Sequence, residues 1–317
     1  MKGLHLIPDN TNINFIGLRF IAFALSLVML AGSIYLTSVD GLNFGVDFTG
    51  GTVIEIRTQT PPDLGAMRTN LNGLGLGAIS LQEFGEPNDL LIRLPQQDGG
   101  AEAQKAAIDA VQVALHAQLG EGEDAYDLRR TEFVGPQVGK ELKQQGVNAV
   151  LFAMFGILCY IWLRFEWQFS VAAVAALLHD TIAIIGFFAL TQMEFNLSTV
   201  AAILMVAGYS INDTVVVFDR VREDLRRYKK KPLPDLFNMS INHMLDRTLI
   251  TSLTTLIALV ALYVYGGEVL RGFISALIVG IVVGTYSSTY IATSLLLFTD
   301  VRKGKIAQDP EEKTDED

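Results

Sequence analysis

The stretch Leu197–Glu223, LSTVAAILMVAGYSINDTVVVFDRVRE, decides the fold of this chain. Its apolar part, Leu197–Phe218, has 22 residues, which as a helix of about 1.5 Å per residue reach about 33 Å and cross a hydrocarbon core of about 30 Å. Asn212 and Asp213 lie inside that span. A carboxyl at this depth costs about 2.5 kcal/mol or more, so a proton or ion pathway or a buried polar partner must explain it. The stretch therefore predicts a membrane protein with a polar site among its helices.

The composition favours several spanning helices over one soluble core. Half of the residues are hydrophobic, 18% are charged, and the mean hydropathy is +0.35. The formal net charge of −10 comes largely from outside the apolar runs, with six acids in Asp309–Asp317. Nothing in the sequence suggests a basic, aromatic surface for nucleic acid. The single cysteine, Cys159, excludes an internal disulfide.

Six apolar runs predict six membrane-spanning helices, at residues 15–36, 147–163, 169–190, 197–218, 249–265 and 273–298. The first run resembles a signal peptide around Ala31-Gly32-Ser33, but its length favours a retained span. Residues 219–247 hold eight Lys and Arg and predict a basic cytoplasmic loop. The charge pattern then puts both termini, residues 1–14 and the acidic tail 299–317, in the cytoplasm.

Residues 39–140, between the first two spans, predict an external α+β domain. Its alternating and helical patterns give strand, helix, strand, strand, helix and strand at Gly50–Thr58, Asp63–Leu74, Ala78–Phe84, Leu90–Leu94, Ala101–Leu119 and Tyr126–Val134. This order is that of the ferredoxin-like fold. The domain lacks the clustered His, Cys or paired acids of a catalytic site, so we predict a binding or structural role and no enzyme activity.

Asp213 is the leading functional candidate, together with the adjacent Asn212. Tyr209 and Ser210 share its helical face, which predicts a polar stripe turned toward the bundle interior. A carboxyl there could exchange protons and respond to a membrane potential, which acts with about 2.3 kcal/mol per charge at 100 mV. The alternative is a structural hydrogen bond between helices.

Arg247 is the predicted charge partner of Asp213. It precedes the fifth span, which begins on the side where the fourth ends, so antiparallel helices would bring the two residues to a similar depth. Withdrawal of the arginine would then let the acid take up a proton. The alternative is an arginine that extends to the membrane surface. Four hydroxyls on the same half of the fifth span could relay hydrogen bonds or pack helices: Thr251, Ser252, Thr254 and Thr255.

Two further features lie within the spans. His179 and Asp180 form a second ionisable pair in the third span, which either extends a proton path or is a satisfied buried pair. The sixth span has a small residue at every fourth position, which favours close helix packing over a substrate groove. This stripe consists of Gly272, Ala276, Gly280, Gly284, Ser288 and Ala292.

The glycine-rich segment GVDFTGGT, residues 45–52, lacks the lysine and spacing of nucleotide-binding loops and predicts a turn into the first strand. This segment, with Gly45, Asp47, Phe48, Gly50 and Gly51, resembles a signature of the SecD/SecF family of bacterial protein-export membrane proteins, in the RND superfamily. GYSINDTVVVFDRVRE at 208–223 resembles the family's more specific signature. The end of the fifth span, the glycine-spaced sixth span and the layout also match, over nearly the whole chain except the acidic tail.

The resemblance implies a subunit of the bacterial inner membrane that pairs with SecD, whose own six spans complete a twelve-span unit. Such a complex works with the SecYEG channel and YajC, and uses the proton gradient to help draw unfolded preproteins across the membrane. Asp213 would be the proton-responsive acid and Arg247 its partner, with protons as the coupling ion and no other cofactor or metal. The external domain would move as a rigid element or bind SecD.

Two other functions are also compatible with the sequence. The chain could be half of an RND-type small-solute antiporter, although one external domain of about 100 residues is small for a substrate pocket. It could also be a scaffold that stabilises the translocon, with Asp213 in a structural role. Replacement of Asp213 by asparagine separates these functions, because a scaffold would lose assembly and a proton site would lose its response to the gradient.

Overall fold

The computed structural model describes residues 11–120, 125–299 and 301–302. Most of the predicted cytoplasmic N-terminus and nearly all of the acidic tail, residues 1–10 and 303–317, lie outside the described residues. Helix α1 (Arg19–Val39), preceded by one 3₁₀ turn at Ile16–Leu18, is the first of six helices that are long and apolar enough to cross a membrane.

The α+β domain, which is predicted to be external and is called the external domain below, follows α1 and one helical turn, α2 (Val46–Thr49), which replaces the predicted turn. Its elements are β1 (Gly51–Thr58), α3 (Leu64–Asn72), β2 (Ser80–Phe84), β3 (Glu86–Leu94), α4 (Gly100–Leu119) and β4 (Tyr126–Val134). The strands form an antiparallel sheet in the order β2-β3-β1-β4. This is the predicted ferredoxin-like arrangement. A core between the sheet and the two helices includes Ile54, Ile92, Met67 and Val111.

The remaining spanning helices are α5 (Pro136–Arg164), α6 (Trp167–Thr191), α7 (Leu197–Arg227), α8 (Leu233–Tyr265) and α9 (Arg271–Tyr286). A π-helical segment, Ser287–Ala292, and a short helix, α10 (Thr293–Leu296), continue α9. Together with α1 they make six spanning helices and one small antiparallel sheet domain, so the predicted fold class is confirmed.

Two helices extend well beyond their predicted spans. In place of the predicted loop at 219–247, α7 continues to Arg227 and α8 already begins at Leu233, which leaves a connection of only five residues, 228–232. A hydropathy pattern identifies the apolar part of a helix, which fits the bilayer. It does not identify an amphipathic continuation of the same helix in water. The two continuations bury Val221, Leu225, Leu236, Phe237 and Ile241 against the rest of the bundle.

Helix α5 likewise begins inside the predicted external domain, at Pro136 rather than at residue 147.

Neighbouring helices of the bundle approach each other closely at glycine positions, where a larger side chain would not fit. A Cβ atom on Gly280 of α9 would lie 2.3 Å from Val206 Cγ2 on α7, and one on Gly284 would lie 3.1 Å from Ser210 Oγ. A Cβ atom on Gly186 of α6 would lie 2.0 Å from Ser33 Oγ on α1. Small residues therefore set the distance between these helices.

Candidate functional site

Asp213 lies where α7 meets α8 and the π-helical segment. Its Oδ1 accepts a hydrogen bond of 2.8 Å from Thr248 Oγ1 on α8. Its Oδ2 accepts one of 2.6 Å from Ser288 Oγ. The carboxyl is therefore held by hydroxyl donors from two other elements, which satisfy both of its oxygens within the helical bundle.

Arg247 and Asn212 point elsewhere. Both residues are exposed on the surface of the chain. Among the ion pairs of the described residues none joins Arg247 to Asp213, although the guanidinium charge acts on the carboxyl from beyond contact distance. Arg247 and Thr248 are neighbours in sequence and differ by about 100° around the helix, so only Thr248 faces Asp213. Arg247 therefore lies at a level similar to that of Asp213, but its side chain does not meet the carboxyl.

Ser288, predicted as a packing residue, is a polar contact of Asp213. Its hydroxyl also lies 3.1 Å from the Thr285 carbonyl, which is a second acceptor for the same proton. The wider π-helical turn begins at Ser287, and such turns are frequent at functional sites because they turn side chains out of the α-helical pattern. The signal was present in the sequence only as a hydroxyl within a stripe of small residues.

Of the four hydroxyls predicted on the fifth span, one reaches another helix. Ser252 Oγ lies 2.7 Å from Thr285 Oγ1 on α9. Thr251, Thr254 and Thr255 instead donate to carbonyls of their own helix. A polar contact between α8 and α9 therefore continues from the Asp213 site, while the other three hydroxyls satisfy α8 itself.

His179 and Asp180 form a second buried polar network, with side-chain exposures of 3% and 0%. Asp180 Oδ2 accepts a hydrogen bond of 2.6 Å from Ser210 Oγ on α7, and His179 Nδ1 lies 3.1 Å from Asp180 Oδ1. On its other side, His179 Nε2 lies 3.1 Å from Ser26 Oγ of α1. Ser26 in turn contacts the hydroxyl of Tyr286 at 3.0 Å.

The hydroxyls of this network can be arranged in two ways, which differ by one proton on the His179–Asp180 pair. Tyr286 can donate to the Ala22 carbonyl at 2.7 Å, in which case Ser26 donates to Tyr286 and His179 must donate from Nε2. If Tyr286 instead donates to Ser26, Ser26 donates to His179, which then needs no proton on Nε2. Reversal of two hydroxyls therefore accommodates one additional proton on the His179–Asp180 pair.

The two acid sites lie close together along the contact of α7 with α9. Ser210, which binds Asp180, precedes Asp213 by three residues, or roughly 4.5 Å along the helix. On the facing side, Gly284 precedes Ser288 by one turn, and a Cβ atom on it would lie 3.5 Å from Asp180 Oδ2. The same two helices therefore hold both sites.

The glycine-rich signature joins the external domain to the connection between α6 and α7. Gly45 N donates to the Phe195 carbonyl at 2.9 Å, and Asp47 Oδ2 accepts from Leu197 N, the first amide of α7, at 2.9 Å. Phe48 packs against Phe195 with ring centroids 6.1 Å apart. Gly51 has φ of +115°, and a Cβ atom there would lie 2.5 Å from the Leu94 carbonyl, so glycine is required.

Two family models match the chain. The model of the protein export membrane protein SecD/SecF, C-terminal, matches residues 115–302, and that of the SecD/SecF GG motif matches residues 35–62. The chain belongs to the SecD/SecF family. The predicted resemblance is thus confirmed, and the GG motif of this SecD/SecF protein is the segment that holds the start of α7.

Relatives of nearly the same length share this family. A protein translocase subunit SecF of Rhodobacter capsulatus is 43% identical over 322 residues, which cover 98% of this chain and 96% of the relative. A SecF subunit of Cereibacter sphaeroides is 46% identical over 308 residues, covering 95% and 94%.

Solved structures of SecDF have the same fold over one part of their length. SecDF of Thermus thermophilus, described as a translocon-associated membrane protein, matches with a TM-score of 0.80 and 35% identity over 91% of this chain. SecDF in a super-membrane-facing form matches with a TM-score of 0.68 and 34% identity over 96% of this chain. The SecD/SecF chain described here spans only 39% and 41% of those chains.

Proposed function

We propose that this protein is the SecF-type subunit of a SecD/SecF complex that uses the proton gradient to assist protein export. The observation that carries the proposal is the placement of Asp213, an acid in the middle of the bundle whose two oxygens are held by hydroxyls of α8 and of the π-helical segment. An acid so placed in spanning helices is a functional-site hypothesis by default, which supports the proposal. Its relatives are named as translocase subunits, which gives the type of work that it would perform.

The site can satisfy both protonation states of Asp213. As a carboxylate, Asp213 accepts from Thr248 and Ser288. As a neutral acid, it can donate to Ser288 Oγ, because the Ser288 proton can turn to the Thr285 carbonyl. Neither state leaves a buried donor without an acceptor, so a proton can enter and leave at a low cost in hydrogen bonds. Protons are accordingly the proposed coupling ion.

A SecD-type partner is proposed from the surface of the chain as well as from the family. Asn212 lies at membrane depth and Arg247 beside the fifth span, and both are exposed. A polar side chain is costly against lipid, so a protein surface is the better neighbour for Asn212. The SecDF chains are more than twice the length of this one, which leaves room for a second half of that size.

The wider setting of the proposal follows from the family and from charge. The SecYEG channel, YajC and unfolded preproteins are the proposed partners in the bacterial inner membrane. The connection of α7 to α8 carries Lys229, Lys230 and Lys231, and such basic segments favour the cytoplasm. The proposed orientation therefore has both termini in the cytoplasm and the external domain on the opposite side.

Export of a preprotein by inverted membrane vesicles tests the proposal. We expect wild type to respond to an imposed proton gradient and Asp213→Asn to assemble with its partner but lose that response. Asp219→Asn is the matched control, because Asp219 lies on the same helix and its ion pair with Arg164 is at the surface, with both side chains 44% exposed. An Asp213→Asn protein that responds like wild type would refute proton work at this site. Failure of the variant to assemble would favour a scaffold.

A further inference from the structure

A partly buried ion pair joins the external domain to the connection between α6 and α7. Arg93 of β3 pairs through Nη2 with Glu194 Oε2, and its Nη1 donates to Asn43 Oδ1 at 3.3 Å. The side chains of Arg93 and Glu194 are 15% and 26% exposed. Water screens a partly buried pair less than a fully exposed surface pair, so this ion pair can help to hold the domain in place.

The glycine-rich segment is shaped around the Glu194 carboxylate. A Cβ atom on Gly45 would lie 2.4 Å from Glu194 Oε1, so any larger residue at 45 would displace the carboxylate. Two residues further along, Asp47 caps the first amide of α7, at Leu197. The sheet of the external domain, the GG motif and the start of α7 therefore meet at Glu194.

The surroundings of Glu194 poise it for proton uptake. Burial raises the pKa of this carboxyl above its ordinary value, and the negative charge of Asp47 on α2 acts in the same direction. The charges of Arg93 on β3 and Arg130 on β4 oppose that rise. On α5, Lys143 Nζ lies 4.2 Å from the ring centre of Phe44, and that ring packs against the ring of Phe195, the residue after Glu194.

We propose that Arg93 and Glu194 form a latch that ties the external domain to α7 and opens when Glu194 takes up a proton. The inference rests on the proposed function, since it gives a proton-driven complex its link between the membrane and the external domain. Glu194 precedes α7, and Asp213 lies 16 residues into that helix, about 24 Å further along its axis. One titratable group, Glu194, thus lies just before the start of α7, and another, Asp213, lies on the same helix deep in the bundle.

A neutral Glu194 weakens the latch because it removes the negative charge that balances the partly buried Arg93 guanidinium. The neutral carboxyl can still accept a hydrogen bond from Arg93, but the attraction between two opposite charges is lost. Loss of one partner from a buried pair is much more destabilising than loss from a surface pair. In the proposed orientation Glu194 faces the compartment from which protons enter. Acidification of that side would therefore release the domain.

A distance measurement on the full chain in lipid nanodiscs tests the latch. Spin labels are placed at Ala117→Cys on α4 and Tyr265→Cys at the end of α8, both exposed, with Cys159→Ser as the background. We expect one narrow distance distribution at pH 8 and a broader, longer one at pH 5. Glu194→Gln should give the broad distribution at every pH. Glu83→Gln, at an exposed position of the same domain, should behave as wild type.

Charge reversal separates a lost latch from a folding defect. Arg93→Glu alone should broaden the distribution, and Arg93→Glu with Glu194→Arg should restore a narrow one. A wild-type distribution that does not change between pH 5 and pH 8, or a Glu194→Gln protein that keeps the wild-type pH dependence, overturns the inference. Gradient-dependent export is measured in parallel. If wild type responds to the gradient and Glu194→Gln responds equally, the latch fails while the proposed function stands, whereas no response of wild type means that the proposed function fails.

Discussion

Replacement of Gly280 by alanine should weaken the contact on which the Asp213 site depends. The added methyl would lie 2.3 Å from Cγ2 and 2.6 Å from Cγ1 of Val206. The methyl group and the Val206 side chain would have to separate by roughly 1 Å more to reach an ordinary van der Waals distance. Val206 is 2% exposed and surrounded by packed side chains, so α9 rather than the valine must shift.

The expected size of the effect follows from two opposing contributions. Overpacking of a well-filled core costs about 1–3 kcal/mol. Alanine is better than glycine within a helix by about 0.5–1 kcal/mol, which offsets part of that cost. We expect a net loss of about 1–2 kcal/mol in the free energy of unfolding, measured by titration of the purified chain with SDS in mixed micelles.

Gly156→Ala on α5 is the matched control, because among the described residues no atom outside the adjoining backbone of α5 lies within 4 Å of its Cβ position. It should leave the free energy of unfolding unchanged or raise it by up to about 1 kcal/mol. The double variant, Val206→Ala with Gly280→Ala, should lose about 1 kcal/mol less free energy of unfolding than the two single variants lose together. If Gly280→Ala proves as stable as Gly156→Ala, α7 and α9 do not approach as closely as described, and the geometry at Ser288 loses its support.

Three further outcomes are expected. Asp180→Asn should reduce the response of export to the proton gradient without loss of assembly, because the bond from Ser210 is retained by the amide oxygen; unchanged gradient dependence would make the network purely structural. The Arg57 guanidinium lowers the pKa of Asp89, so the external domain should lose stability as the pH falls below about 4. In an acid-unfolding curve, Arg57→Met should make this loss of stability smaller. Asn242→Leu should expose the N-terminal segment to protease, because its amide holds both backbone groups of Ile13, and a wild-type cleavage rate would contradict this.

The fold was largely predictable because each of its parts leaves a local pattern. Apolar runs of bilayer length gave the number of spanning helices, and alternation gave the order of strands in the external domain. The polar ends of α7 and α8 were missed because their amphipathic pattern is short and rich in charge, although Leu225 and Phe237 are buried there. Such segments are helical because they pack on each other, which is a tertiary effect.

The sequence predicted the level in the helical bundle at which the site lies, but not which side chains face Asp213. The cost of a carboxyl in lipid made Asp213 the leading candidate from the sequence alone. Its partners depend on the rotation of α8 and on the π-helical turn, which shifts Ser288 relative to the four-residue stripe that precedes it. Glu194 and Arg93 gave no signal at all, since 101 residues separate them in sequence and only the folded domain brings them together.

The close packing of α7 explains how a charge change at Asp213 would be felt by the external domain. Interiors of this density transmit a displacement between neighbouring side chains and do not absorb it, so a helix held on several sides moves as one body. Helix α7 is held at Val206 by α9 and at Ser210 by Asp180, both between Asp213 and its first turn. That first turn is bound to Asp47 and follows Glu194 by three residues. Under the proposed proton coupling, a shift of α7 that starts at Asp213 would either carry the external domain with it or break the Arg93–Glu194 pair, and the protonation state of Glu194 would decide which of the two occurs.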